Sequence, residues 1–174
     1  MPRRLPLLAL LIAASSCAPT TRPAPVRTPP LPPAPVAAAP APPPSADWRD
    51  WPPTPGAWTY ARDPQGSAAL FGATGAQAVA LLRCDAANRR VFLSRTGSTA
   101  SPFTIRTSSA TRQLATGATG GEPPYVAAML PASDPLLDAI AFSRGRFTLE
   151  QAGAPPLVLP SWAEIGRVIE DCRG

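Results

Sequence analysis

The chain contains no histidine and no lysine; all sixteen of its basic residues are arginine. The first absence excludes Ser-His-Asp and Cys-His catalysis and every histidine-based metal site. The second excludes a Ser–Lys dyad. No G-x-S-x-G elbow or P-loop is present. Gly117-Ala118-Thr119-Gly120-Gly121 has glycines but no lysine and no strand-to-helix context, so it reads as a loop. The three cysteines show no C-x-x-C spacing, which removes the usual zinc and redox patterns. No apolar run approaches the roughly 20 residues of a membrane-spanning helix. Neither a cofactor nor a metal is expected, and carboxylates are the remaining acid–base groups.

What is present begins with an export signal over residues 1–16. Arg3 and Arg4 form a cationic segment, Leu5 to Ala14 is an apolar run broken only by Pro6, and Ser15-Ser16-Cys17 follows. Ala14-Ser15-Ser16-Cys17 resembles the lipobox of bacterial lipoproteins, with Ala14 where leucine is usual. That resemblance implies cleavage before Cys17 and acylation of it, palmitate among the chains. Several chains anchor far more firmly than one, since each buried methylene adds roughly 0.8 kcal/mol. Ala18 is not acidic, which by resemblance to enterobacterial lipoproteins directs the chain to the cell outer membrane rather than the inner. The competing reading is ordinary cleavage after Ala14, with Cys17 a free thiol.

Cysteine parity supports lipidation. The set is Cys17, Cys84 and Cys172, and an odd cysteine in an exported chain requires an explanation. If Cys17 carries lipid, Cys84 and Cys172 remain as a pair in the periplasm, where disulfides persist. Their bridge would close a loop of about 89 residues, worth roughly 4.5 kcal/mol on the chain-entropy model. Two buried free thiols are the alternative.

Residues 17–46 form a stalk. After the lipidated cysteine the stretch is proline, alanine, threonine and valine, with Arg22 and Arg27. Proline supplies no amide donor and holds its predecessor out of the helical region, so the stretch builds no core. As a polyproline-like spacer it reaches up to about 90 Å. The globular domain then occupies 47–174, long enough for one core. Four arginines (Arg3, Arg4, Arg22, Arg27) precede it. The domain keeps twelve arginines against eleven acids, a net of +1. The overall +5 therefore does not mark a nucleic-acid partner, and none is expected.

The domain reads as mainly β, an antiparallel β-sandwich or barrel. Strands are predicted over 57–62, 67–71, 78–85, 89–95, 102–107, 111–115, 125–130 and 146–151, with 117–124 as a flexible loop. Trp58 and Tyr60 share one face of the first strand; Ala80, Leu82 and Cys84 share one of the third. Asp63-Pro64-Gln65-Gly66 is a turn. A short helix near 135–143 is capped by Asp134, with Pro135 at its first position. A C-terminal amphipathic helix near 162–172 carries a Ser161/Glu164 capping box and an inward stripe of Trp162, Ile165, Ile169 and Cys172.

Trp48, Trp51, Trp58 and Tyr60 are the candidate ligand-binding residues. Aromatic faces stack on sugar rings, and Asp47, Arg49 and Asp50 between them could hydrogen-bond hydroxyls. The alternative is that these rings cap the sandwich edge. Arg144 and Arg146 are a candidate anion site, set against the ordinary charge of an exposed strand. Asp134 and Asp138 lie at i, i+4, but a cap explains the first. Glu170-Asp171 closes the last helix, where negative charge is unfavourable, so Arg167 or Arg173 is the expected partner. No residue is assigned a catalytic role.

Four segments together carry a resemblance: 48–60 (Trp48 to Tyr60), 104–108, 134–147 and 162–172. They look like an uncharacterised family of alphaproteobacterial exported lipoproteins, across the domain and not the stalk. In architecture the layout is similar to proteins of the invasion-associated locus B type. Neither resemblance implies an activity or a site residue. The expectation is a non-catalytic envelope lipoprotein, lipid-anchored on the periplasmic side, with a binding or scaffolding domain held off the membrane. Its partners are membrane lipid through Cys17 and a cell-wall glycan or an envelope protein. The alternatives are a cell-wall or polysaccharide-binding module, or a carboxylate-dependent glycan hydrolase.

Overall fold

Turns set the register of the larger sheet. In a computed structural model, which describes residues 46–174, Asp63 Oδ1 accepts hydrogen bonds from the amides of Gln65 (2.8 Å) and Gly66 (3.1 Å). This closes the predicted turn between β1 (Ala57–Asp63) and β2 (Gly66–Gly72). Gly66 has φ +149°, and a Cβ there would overlap the Cys84 carbonyl oxygen, so only glycine fits. The expected export signal, Cys17 and all of the stalk but its last residue lie outside the described residues.

The chain continues through β3 (Ala80–Asp85), β4 (Arg90–Thr96), β5 (Phe103–Arg106), β6 (Thr111–Leu114), β7 (Gly117–Ala118) and β8 (Tyr125–Pro131). Helix α1 (Pro135–Ala141), β9 (Arg146–Gln151), β10 (Ala154–Pro160) and α2 (Ala163–Arg173) complete it. The strands form a six-stranded sheet in the order β1-β2-β3-β4-β8-β7 and a four-stranded sheet in the order β10-β9-β5-β6, antiparallel throughout. Neither sheet closes into a barrel, so the sandwich is the architecture realised.

Alternation along the strands builds the core. Trp58, Phe71, Leu82, Leu93 and Ala128 from one sheet join Phe103, Ile105, Phe147, Leu149 and Leu159 from the other, all buried. Each fully buried large side chain contributes roughly 1.5–3 kcal/mol. Ile165, Val168, Ile169 and Cys172 bury one face of α2, which lies against β2 and β3. The Cys84–Cys172 disulfide pins that helix to β3, with Cα atoms 5.3 Å apart, as parity and the inward stripe predict.

Three elements depart from the sequence reading. β10 was not predicted, because Pro155, Pro156 and Pro160 interrupt it. It is an edge strand, where a missing donor is tolerated, and the Thr54 backbone and hydroxyl bond Val158 along it (3.0 and 2.8 Å). Part of the expected 117–124 loop is β7, paired with β8. The capping box does not form. Helix α2 starts at Ala163, so Trp162 is the N-cap residue and makes no side-chain cap bond. Glu164 falls one position short of the capping-box place, and the Ser161 hydroxyl is buried without a partner. The cap on α1 is as predicted: Asp134 accepts from the Leu136 amide at 2.8 Å, and Pro135 opens the helix.

Candidate functional site

The four aromatics proposed for ligand binding do not share a surface. Trp58 is 5 % exposed, its indole N–H donates to the Pro160 carbonyl (2.8 Å), and its ring meets Phe71 at 5.1 Å. It is a core residue joining the sheets. Tyr60 is half-buried and donates to Asp171 at 2.5 Å, while the Arg167 guanidinium sits 4.0 Å above its ring. Trp51 lines a different cleft, together with Thr104 of β5 and Gln151 of β9.

Trp48 stands apart, because the fold brings it to arginines nearly a hundred residues away. Asp47 accepts from the Arg49 amide (2.9 Å) and caps a single 3-10 turn, Trp48–Asp50. The Arg49 guanidinium lies 4.9 Å from the Trp48 ring centroid. Arg146, the first residue of β9, donates through Nη1 to the carbonyls of Trp51 (3.2 Å) and Arg49 (3.4 Å). That clamp holds the turn against the loop between α1 and β9.

The loop is fixed in turn by serines. Ser143 Oγ donates to the Arg146 carbonyl (2.5 Å) and accepts from the Ser108 amide (3.0 Å); Ser108 Oγ accepts from the Arg144 amide (3.1 Å). Gly145, at φ +79°, makes the bend. The result is a cleft of about 330 Å³ lined by Trp48, Arg49, Ser108, Arg144 and Arg146. Three of those five side chains are guanidinium groups and none is a carboxylate. The Arg144 guanidinium has no partner among the described residues. Such a cleft suits an anionic oxygen group, which arginine grips in bidentate fashion, beside an aromatic ring.

The carboxylates are engaged elsewhere. Asp134 pairs with Arg112 (2.8 Å) and Asp138 with Arg173 (2.8 Å), so the i, i+4 pair is two separate ion pairs. Asp171 takes Arg62 and Tyr60 as partners, not the expected Arg167 or Arg173. Partial burial would raise the Asp171 pKa, but hydrogen bonds from Tyr60 and Arg62 outweigh it and hold the carboxyl below its ordinary value. Asp134 is lowered in the same way, against burial, by Arg112 and the Leu136 amide. Each of five surface clefts among the described residues is lined by at most one carboxyl group.

Trp162 was expected to face inward and is 47 % exposed. It precedes the helix, with extended backbone (φ −92°, ψ 170°), so helical spacing does not apply to it. Phe142, which the sequence reading did not single out, is 81 % exposed at the C-cap of α1. Both line a groove of about 600 Å³ between the end of α1 and the start of α2. No family model matches the chain, and no curated protein or solved structure is significantly similar to it.

Proposed function

We propose that the protein is a non-catalytic envelope lipoprotein whose domain binds an anionic cell-wall glycan. The observation that carries this reading is the cleft lined by Trp48 together with Arg49, Arg144 and Arg146, with no carboxylate in the lining. An aromatic ring offers a stacking platform for a sugar, and guanidinium groups bind the carboxylate that an acidic sugar bears. A glycan hydrolase of the usual kind places two carboxyl groups about 5–10 Å apart across a cleft; none of the five clefts supplies such a pair. Lipidation rests on Ala14-Ser15-Ser16-Cys17, and the Cys84–Cys172 bond leaves Cys17 as the odd cysteine. The proline-rich stretch then spaces the domain from the outer membrane toward the wall.

Binding of the mature protein to purified peptidoglycan tests the central claim. Wild-type protein should co-sediment, less so as salt rises, and Arg144→Ala should lose roughly tenfold in affinity, in line with a charged hydrogen bond. Equal retention of Arg144→Ala, or no sedimentation, overturns the glycan reading. Metabolic palmitate labelling tests the anchor: label should enter wild type and not Cys17→Ala.

A further inference from the structure

We propose that the groove between α1 and α2 is a second saccharide subsite, so that the ligand is an extended glycan chain. This rests on the Trp48–Arg144 cleft being the first subsite.

Several unfavourable features meet in this groove. Phe142 and Trp162, exposed 81 % and 47 %, are with Met129 the large apolar side chains most open to solvent among the described residues. Ser161 lines the groove through its other atoms, while its hydroxyl is turned away from solvent and has no hydrogen-bond partner, so no strong polar bond fixes this wall. Gly166 lines the groove from within α2, and a Cβ built there meets nothing within 4 Å. Packing therefore does not require glycine at a helical position that disfavours it. Its effect is to leave room between the rings.

The rim selects among occupants. Arg167 and Glu170 both line the groove. The Arg167 guanidinium, stacked on the Tyr60 ring, keeps N–H donors at its edge, and with the Glu170 carboxylate it can donate to and accept from the hydroxyls of one sugar. An anionic membrane surface would favour arginines without the carboxylate. The two sites are also adjacent. Phe142 opens the 142–145 loop, Arg144 within it and Arg146 just after it line the cleft, and the Gly145 carbonyl between them accepts from the Ser161 amide (3.2 Å). A chain leaving the arginine cleft has only to cross this bend to reach the aromatic groove.

Calorimetric titration of the mature, full-length protein with peptidoglycan glycan fragments of two and of six sugars tests this. Trp162→Ala, Phe142→Ala and Gly166→Leu should each weaken the six-sugar fragment about tenfold and leave the two-sugar fragment within twofold. Gly166→Leu fills the groove without removing a ring, and thermal melts confirm that each variant folds. Arg144→Ala should weaken both fragments. A six-to-two-sugar affinity ratio unchanged in all three groove variants overturns the second subsite, including where Trp162→Ala instead abolishes vesicle binding or self-association. Loss of the ratio with Arg144→Ala inert overturns the first cleft and leaves the groove standing as a saccharide site without its neighbour. No binding of either fragment overturns both.

Discussion

The two halves of α2 are held by opposite means. Its C-terminal half is cross-linked through Cys172 to β3 and tied by Asp171 to Tyr60 and Arg62 on β1, while Arg173 pairs with Asp138 in the first turn of α1. Its N-terminal half follows an orphan serine hydroxyl and an N-cap residue that makes no capping bond, and carries a glycine with empty space above it. The same eleven-residue helix thus ends in a fastening and starts in an opening. The fastenings gather at one end of the helix, and local preferences for a cap and against glycine are set aside at the other, beside the groove.

The sharpest way to break that contrast is at the cross-link. Cys84→Ala with Cys172→Ala should cost about 2–5 kcal/mol, seen as a drop in the denaturant midpoint of the oxidised protein and no effect of reductant on the double variant. Tyr60→Phe comes next, removing the hydroxyl that donates to Asp171; a loss of about 1.5–3 kcal/mol is expected from a hydrogen bond to a charged group. At the open half the sign should reverse. Trp162→Asp supplies the missing N-cap acceptor and should raise stability by about 1 kcal/mol, while six-sugar binding falls. Gly166→Ala should stabilise by a little less, about 0.8–1 kcal/mol, and a single methyl should leave much of the groove open. A destabilised Trp162→Asp variant would show that the ring is a packing residue after all.

Acidification sharpens the comparison further. The Asp171 and Asp134 carboxyls are held below the ordinary value of 3.8. A carboxyl so lowered stabilises the fold when ionised. Its contribution is complete above that value and is lost as pH falls through the lower folded-state one. Urea midpoints should therefore be flat at mildly acidic pH and decline below about pH 4. Asp171→Asn should show a shallower decline from a lower plateau. An unchanged slope would mean that Asp171 does not carry the acid sensitivity.

How legible this was in the sequence depended on whether a feature was local. Alternation around Leu82, Leu93 and Leu149 marked strands because each buries one face, and the Asp134-Pro135 cap lies within three residues of its acceptor bond. The disulfide was legible from parity and from two inward stripes. β10 was hidden because its prolines are tolerated only at an edge, and edge position is a property of the sheet. Trp162 was misplaced because one residue of uncertainty in a helix start moves a side chain from stripe to solvent. The candidate cleft was half visible: Trp48 and the Arg144–Arg146 pair were each noticed, but no local signal joins positions 95 residues apart across Arg146 and the Trp51 carbonyl.

Those carbonyl bonds also have a mechanical meaning. Tension arriving along the chain ahead of Asp47 reaches the Arg146 grip on Arg49 and Trp51 first, and the Thr54–Val158 pair next. Both precede β1, so a modest pull would peel the segment from the rim of the sandwich and leave the sheets folded. Trp48 would travel with it, and the cleft would lose its aromatic wall. A tether drawn taut would thus loosen the grip on a ligand, whereas a slack one would preserve it. The proposed stalk would then act as a force gauge as well as a spacer.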